Sequence, residues 1–127
     1  MTLTEQSQKK VLVVEDDKYI RETIIEILEM EGYNAAPAVD GQEALDLLSK
    51  EDSALPHVIL LDLAMPRMDG YAFREAQEKD PRIAFIPVIV MSADNSVESK
   101  RHCIGATDFL RKPPSIDDLL EAVERNC

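Results

Sequence analysis

A chain of 127 residues, 45% hydrophobic and 31% charged, has the length and composition of one globular domain built on a single core. Its net charge of −11 excludes a nucleic-acid surface, which needs clustered Lys and Arg, and opposes attachment to anionic lipid. The apolar runs are strand-length and too short to cross a bilayer, and "MTLTEQSQKK" lacks the apolar centre of a signal peptide. Cys103 and Cys127 have neither metal spacing nor a disulfide pattern, so the expectation is two ordinary thiols in a reducing, cytoplasmic compartment.

Residues 1–8 are polar and read as a disordered N-terminal tail, leaving 9–127 as the domain. "KVLVV" (10–14) is a β-branched run that stops at Glu15-Asp16-Asp17, as a buried strand does. "KYIRETIIEILEMEG" then sets Ile20, Ile24, Ile27 and Leu28 at helical spacing, with Asp16 or Asp17 at the N-cap position and Gly32 at the C-cap. A weak strand, "NAAPAV" (34–39), leads through Asp40-Gly-Gln-Glu43, a capping-box-like start, into a helix carrying Ala44, Leu45, Leu47 and Leu48. After the loop "EDSALP", "HVILLDL" (57–63) is aliphatic on consecutive positions and therefore covered on both faces.

Asp69-Gly70 opens a helix over Tyr71, Phe73 and Ala76, and "IPVIVMSA" (86–93) is a fourth strand. Residues 97–104 make a short helix, "TDFLRK" (107–112) a fifth strand, and Pro113-Pro114 stop it. Ser115 caps a last helix with Ile116, Leu119, Leu120 and Val123 on one face. Five strands alternating with five helices imply an α/β fold: a doubly wound parallel sheet with right-handed crossovers.

In such a sheet the functional groups gather at the carboxyl ends of the strands. The first strand ends on Glu15, Asp16 and Asp17, the third on Asp62, the fourth on Ser92 and the fifth on Lys112. Packed carboxylates repel, and a hard divalent cation relieves them; oxygen ligands without His or Cys suit Mg²⁺ or Mn²⁺. Capping accounts for only one of the three acids at 15–17. Lys112 could form an internal ion pair and Ser92 could cap the next helix. Taken together, a carboxylate nucleophile, a cation, a hydroxyl and a lysine are the parts needed for phosphoryl transfer to Asp62.

The motifs "VLVVEDD", "LLDLAMPRMDG", "PVIVMSA" and "FLRKP", in this order over roughly residues 9–126, resemble the receiver domain of two-component response regulators. The resemblance implies a flavodoxin-like (β/α)5 fold with strand order 2-1-3-4-5, and Asp62 as acceptor of a phosphoryl group from a phosphohistidine. It further implies Mg²⁺ held by Asp16, Asp62 and the backbone carbonyl of Ala64, with Glu15 acting through a water. Ser92 becomes the switch hydroxyl, Lys112 the phosphate-binding lysine and Phe109 the aromatic switch residue, and the Lys112–Pro113 peptide is expected to be cis.

Such a protein is a signalling receiver, not an enzyme acting on a separate substrate, although it catalyses its own phosphorylation and dephosphorylation. The implied partners are a histidine kinase or phosphotransfer protein and an unidentified downstream protein. The downstream surface is the fourth helix, fifth strand and last helix. A monomer or weak phosphorylation-dependent dimer is expected, with no nucleic acid and no membrane. Only one helix follows Lys112, so no output domain is visible and the receiver stands alone or is excised from a longer chain. Replacing Lys112 is expected to change stability little.

Rival readings fit less well. A haloacid-dehalogenase-like phosphatase wants a second acid two residues past the nucleophile, where Ala64 stands. A flavin mononucleotide binder needs a phosphate cradle in its first loop, and Glu15-Asp16-Asp17 would repel a phosphate. His57 and His102 do not lie on a helical bundle as a phosphohistidine carrier requires. A receiver that only docks partners would normally have lost Asp62, an acid of the first loop or Lys112.

Overall fold

Val58–Asp62 is buried at every residue, a state that only a strand covered on both faces reaches. This strand, β3, lies at the centre of a sheet in a computed structural model that describes residues 9–50, 55–63, 69–92 and 105–127. Its companions are β1 (Lys10–Val14), β2 (Asn34–Ala38), β4 (Val88–Ser92) and β5 (Asp108–Arg111). All four pairings are parallel and the order is β2-β1-β3-β4-β5, as expected. Among the described residues the helices are α1 (Lys18–Met30), α2 (Gly41–Leu48), α3 (Gly70–Glu78) and α4 (Ile116–Asn126). The tail at 1–8, the helix expected at 97–104, Ala64, His102 and Cys103 lie outside the described residues.

Period-two alternation splits the core into two layers. Val11, Val13, Leu60, Ile89, Met91 and Leu110 pack under α1 and α4, against Ile24, Leu28, Leu119 and Val123. Leu12, Val14, Ile59, Leu61, Val88 and Val90 face the other way, toward Ala44 and Leu48 of α2 and Phe73 of α3. No described helix is long and apolar enough to cross a membrane.

The helix ends follow from the residues that flank them. Asp17, not Asp16, caps α1, its carboxylate accepting from the Ile20 amide at 2.9 Å. At the other end Gly32 takes φ 93°, so that its amide reaches Glu29 and that of Tyr33 reaches Leu28, both at 3.0 Å; a side chain at Gly32 would be strained there. Asp40, Asp69 and Ser115 cap α2, α3 and α4.

Two helix faces differ from their expected ones. On α3 the buried face is Gly70, Phe73, Arg74 and Gln77, while Tyr71 is 39% exposed. Polar residues at two inward positions hid the face from an apolar pattern. On α4 the buried residues are Leu119, Ala122 and Val123, while Ile116, at the first position of the helix, is largely exposed.

Candidate functional site

Alternation carries past the strand ends. Glu15 continues the face of Val11 and Val13, Asp62 that of Val58 and Leu60, and Lys112 that of Leu110, so all three stand above the layer shared by α1 and α4. Glu15 and Asp62 are almost wholly buried. The four-carbon stem of Lys112 crosses β4 and places Nζ 3.4 Å from Asp62 Oδ2 and 2.8 Å from Glu15 Oε1. Burial alone would lower the Lys112 pKa; pairing with Glu15 and the charge of Asp62 outweigh it and hold the ammonium above its ordinary value.

Carboxylate oxygens of Glu15, Asp16 and Asp62 lie within 4.8 Å of one another, with Asp16 exposed at the mouth. Glu15 Oε2 accepts from the Asp17 amide at 3.1 Å. Glu15 Oε1 is buried with no hydrogen bond of ordinary geometry among the described residues and meets Lys112 as a charge. Three carboxylates this close, with oxygen donors alone, suit a hard divalent cation, so the donor set fits Mg²⁺ or Mn²⁺. The expected third ligand, the Ala64 carbonyl, lies outside the described residues.

Ser92 ends β4 one residue beyond Met91, the register partner of Asp62, and its carbonyl accepts from the Lys112 amide at 2.9 Å. Ser92 is buried and continues the alternation of Val88 and Val90 at the strand end. Phe109 pairs with Val90 and packs, half-buried, against that same layer, so Ser92 and Phe109 share a face of the sheet. The Lys112–Pro113 peptide is cis.

Two contributors were missed by sequence reading. Arg21, one turn into α1, donates from Nη1 to the carbonyls of Glu15 at 2.9 Å and Asp16 at 3.3 Å. No periodic pattern marks a residue for reaching back over a preceding loop. In the sequence Gly70 marks only the start of a helix. A Cβ there would stand 2.9 Å from the Asp62 carbonyl oxygen and from Leu63 Cα, so α3 approaches the backbone of Asp62 as closely as it does only because the residue is glycine. The signal was available: glycine where helix propensity disfavours it.

The chain matches the sequence model of the response regulator receiver domain over residues 11–124. It is 35% identical over 114 residues to the response regulator MprA of Mycolicibacterium vanbaalenii, a match that covers 87% of this chain and 47% of that protein. It thus spans about half the length of that relative. Protein PilG of Pseudomonas aeruginosa is 32% identical over 117 residues, covering 91% of this chain and 84% of PilG. Among solved structures, chemotaxis response regulator CheY4 of Vibrio cholerae superposes with a TM-score of 0.84 at 34% identity, over 94% of this chain and 98% of that one. With its parallel 2-1-3-4-5 sheet and an acidic cluster at the strand ends, the chain belongs to the response regulator receiver domain family of two-component systems.

Proposed function

We propose that Asp62 accepts a phosphoryl group from the phosphohistidine of a histidine kinase or phosphotransfer protein. The observation that carries this reading is a buried strand-end carboxylate with a lysine ammonium at 3.4 Å and two further carboxylates beside it. An Asp62 oxygen attacks phosphorus, the new O–P bond forms as the donor's N–P bond breaks, and the leaving imidazole takes up a proton. Asp16 and Asp62, with the Ala64 carbonyl and with Glu15 acting indirectly, would hold Mg²⁺, or Mn²⁺ in its place. The bound cation supplies charge neutralisation for the phosphoryl oxygens.

Lys112 turns from the Asp62 carboxylate to a phosphoryl oxygen, and Ser92 donates its hydroxyl to another. That movement draws β4 and β5 with it, because the Lys112 amide is tied to the Ser92 carbonyl. Phe109, on the Ser92 face, repacks in response and alters the surface around β5 and α4 that a downstream protein reads. Lacking a hydroxyl, Phe109 does this by packing alone.

Incubation with acetyl phosphate and Mg²⁺, followed by intact mass, tests the reading. One added phosphoryl group is expected, absent when Mg²⁺ is chelated before the donor is added and absent in Asp62→Asn. An Asp62→Asn variant that still gains the mass would overturn the assignment.

A further inference from the structure

The loop between β1 and α1 carries three consecutive carboxylates, and two of them point into the acidic cluster. Such a loop keeps one conformation only where its backbone is tied against the repulsion of its own charges. The ties come from α1. The Asp17 carboxylate accepts from the Ile20 amide, the Arg21 amide donates to the Asp17 carbonyl at 2.9 Å, and Arg21 Nη1 donates to the carbonyls of Glu15 and Asp16. Those last two carbonyls belong to the peptide planes on either side of the Asp16 Cα. Holding both planes fixes the direction in which the Asp16 side chain leaves the backbone.

We infer that Arg21 is a positioning residue for the cation site, clamping the two peptide planes that aim Asp16 at Asp62. The inference rests on the reading that Asp16 and Asp62 hold a divalent cation. Arg21 is suited to the task because its planar guanidinium presents donors in a fixed fork, which an ammonium does not.

The guanidinium exerts two effects of opposite sign, which makes the inference decidable. Its positive charge repels a nearby cation, so removal of the charge alone would tighten Mg²⁺ binding. Its clamp orders Asp16 before the cation arrives, so removal of the clamp weakens binding. Outer contacts that orient a ligand are worth about 10-fold or more in metal affinity. The charge of a partly exposed side chain is screened at ordinary salt. The clamp therefore dominates.

Mg²⁺ titrations of the whole chain at about 0.15 M ionic strength, read from the amide shifts of Asp17 and Leu63, test it. Arg21→Met should weaken binding by about 10-fold. Arg21→Lys keeps the repelling charge without the fork and should also bind more weakly than wild type. A purely structural role would lower the thermal midpoint and leave the Mg²⁺ affinity of the folded protein unchanged. Unchanged or tighter binding in folded Arg21→Met overturns the inference. Should that variant not fold, Arg21→Lys decides, and wild-type affinity there overturns it. Failure of the wild-type chain to bind Mg²⁺ saturably would instead bring down the cation-site reading, and this inference with it.

Discussion

The Lys112 ammonium lies closer to Glu15 than to Asp62, 2.8 Å from one carboxylate and 3.4 Å from the other. The lysine is therefore more than a group waiting for a phosphoryl oxygen. It is the cationic partner of a carboxylate that is wholly buried.

Removal of that partner strands a buried charge. Loss of one member of a buried pair commonly costs 3–5 kcal/mol; the Lys112 side chain is partly open to water, so we expect Lys112→Ala to cost about 2 kcal/mol in Mg²⁺-free buffer. Saturating Mg²⁺ should shrink the difference, since the cation favours the folded cluster in both proteins and gives Glu15 a new partner. Urea denaturation with and without a chelator checks this, and equal midpoints without Mg²⁺ would show that Glu15 is compensated elsewhere.

Gly70 tests the contact behind Asp62. At an ordinary helical position Gly→Ala gains up to about 1 kcal/mol. Here the added methyl meets the Asp62 carbonyl oxygen and Leu63 Cα at 2.9 Å, and backbone cannot turn aside as a side chain can. Gly70→Ala should lose about 1–3 kcal/mol, the range for overpacked sites, and should also slow phosphoryl uptake by shifting Asp62. A stabilised variant would show that α3 slides freely over β3.

Much of this site was legible because strand ends can be read from the lengths of apolar runs. Glu15 and Asp16, Asp62 and Ser92 close runs of apolar residues, Lys112 closes the short strand before Pro113, and parallel topology places such endings along one edge. The partner that Lys112 takes before any phosphoryl group arrives was not legible. Its replacement looked harmless from sequence, since the 2.8 Å contact depends on how far Glu15 sinks into the sheet edge. Arg74 and Gln77 were illegible for another reason. Inward polar residues break the apolar stripe and are tolerated only through hydrogen bonds to residues distant in sequence.

One residue before Phe109, β5 is tied to α4. Burial alone would raise the Asp108 carboxyl. Hydrogen bonds from Arg125 at 2.9 and 2.6 Å, from the Phe109 amide at 2.9 Å and from Asn126 at 3.1 Å outweigh it and hold the carboxyl below its ordinary value. A depressed carboxyl binds fewer protons in the folded than in the unfolded state. Its contribution is complete above the unfolded value of about 3.9 and is lost as pH falls through the folded value. Arg125 is exposed, so the contribution is small and screened by salt. Arg125→Gln should be less stable than wild type near neutral pH, with the gap closing below about pH 4. A gap that persists unchanged into strong acid would assign the loss to packing of the arginine stem.

The last prediction concerns Gln77, which is fully buried on α3. Its Nε2 donates to the carbonyls of Ile83 at 2.9 Å and Ile86 at 3.1 Å, and its Oε1 accepts from Arg74 Nη1 at 2.8 Å. Arg74 in turn donates to the Gly105 carbonyl at 3.3 Å and pairs with Glu78 at 3.0 Å, so one amide links α3 to the turn before β4 and, through the guanidinium, to the segment before β5. Gln77→Leu is near in volume, but it takes from the Ile86 carbonyl and from Arg74 Nη1 the partner that Gln77 gives them, while the Ile83 carbonyl keeps the Ile86 amide at 3.1 Å. Each stranded buried group costs about 1–3 kcal/mol, and partial relaxation leaves an expected loss of about 3 kcal/mol. Gln77→Glu separates the two ends of the amide. The carboxylate keeps Arg74 as a charged partner yet turns an oxygen toward two carbonyl oxygens, which repels, whereas the protonated acid can donate to one of them. Gln77→Glu should therefore lie closer to wild type in mildly acidic buffer than in neutral buffer, while Gln77→Leu shows no such recovery. Urea denaturation of the three proteins across that range decides it: parallel pH profiles would mean that the Ile86 carbonyl is satisfied without Gln77.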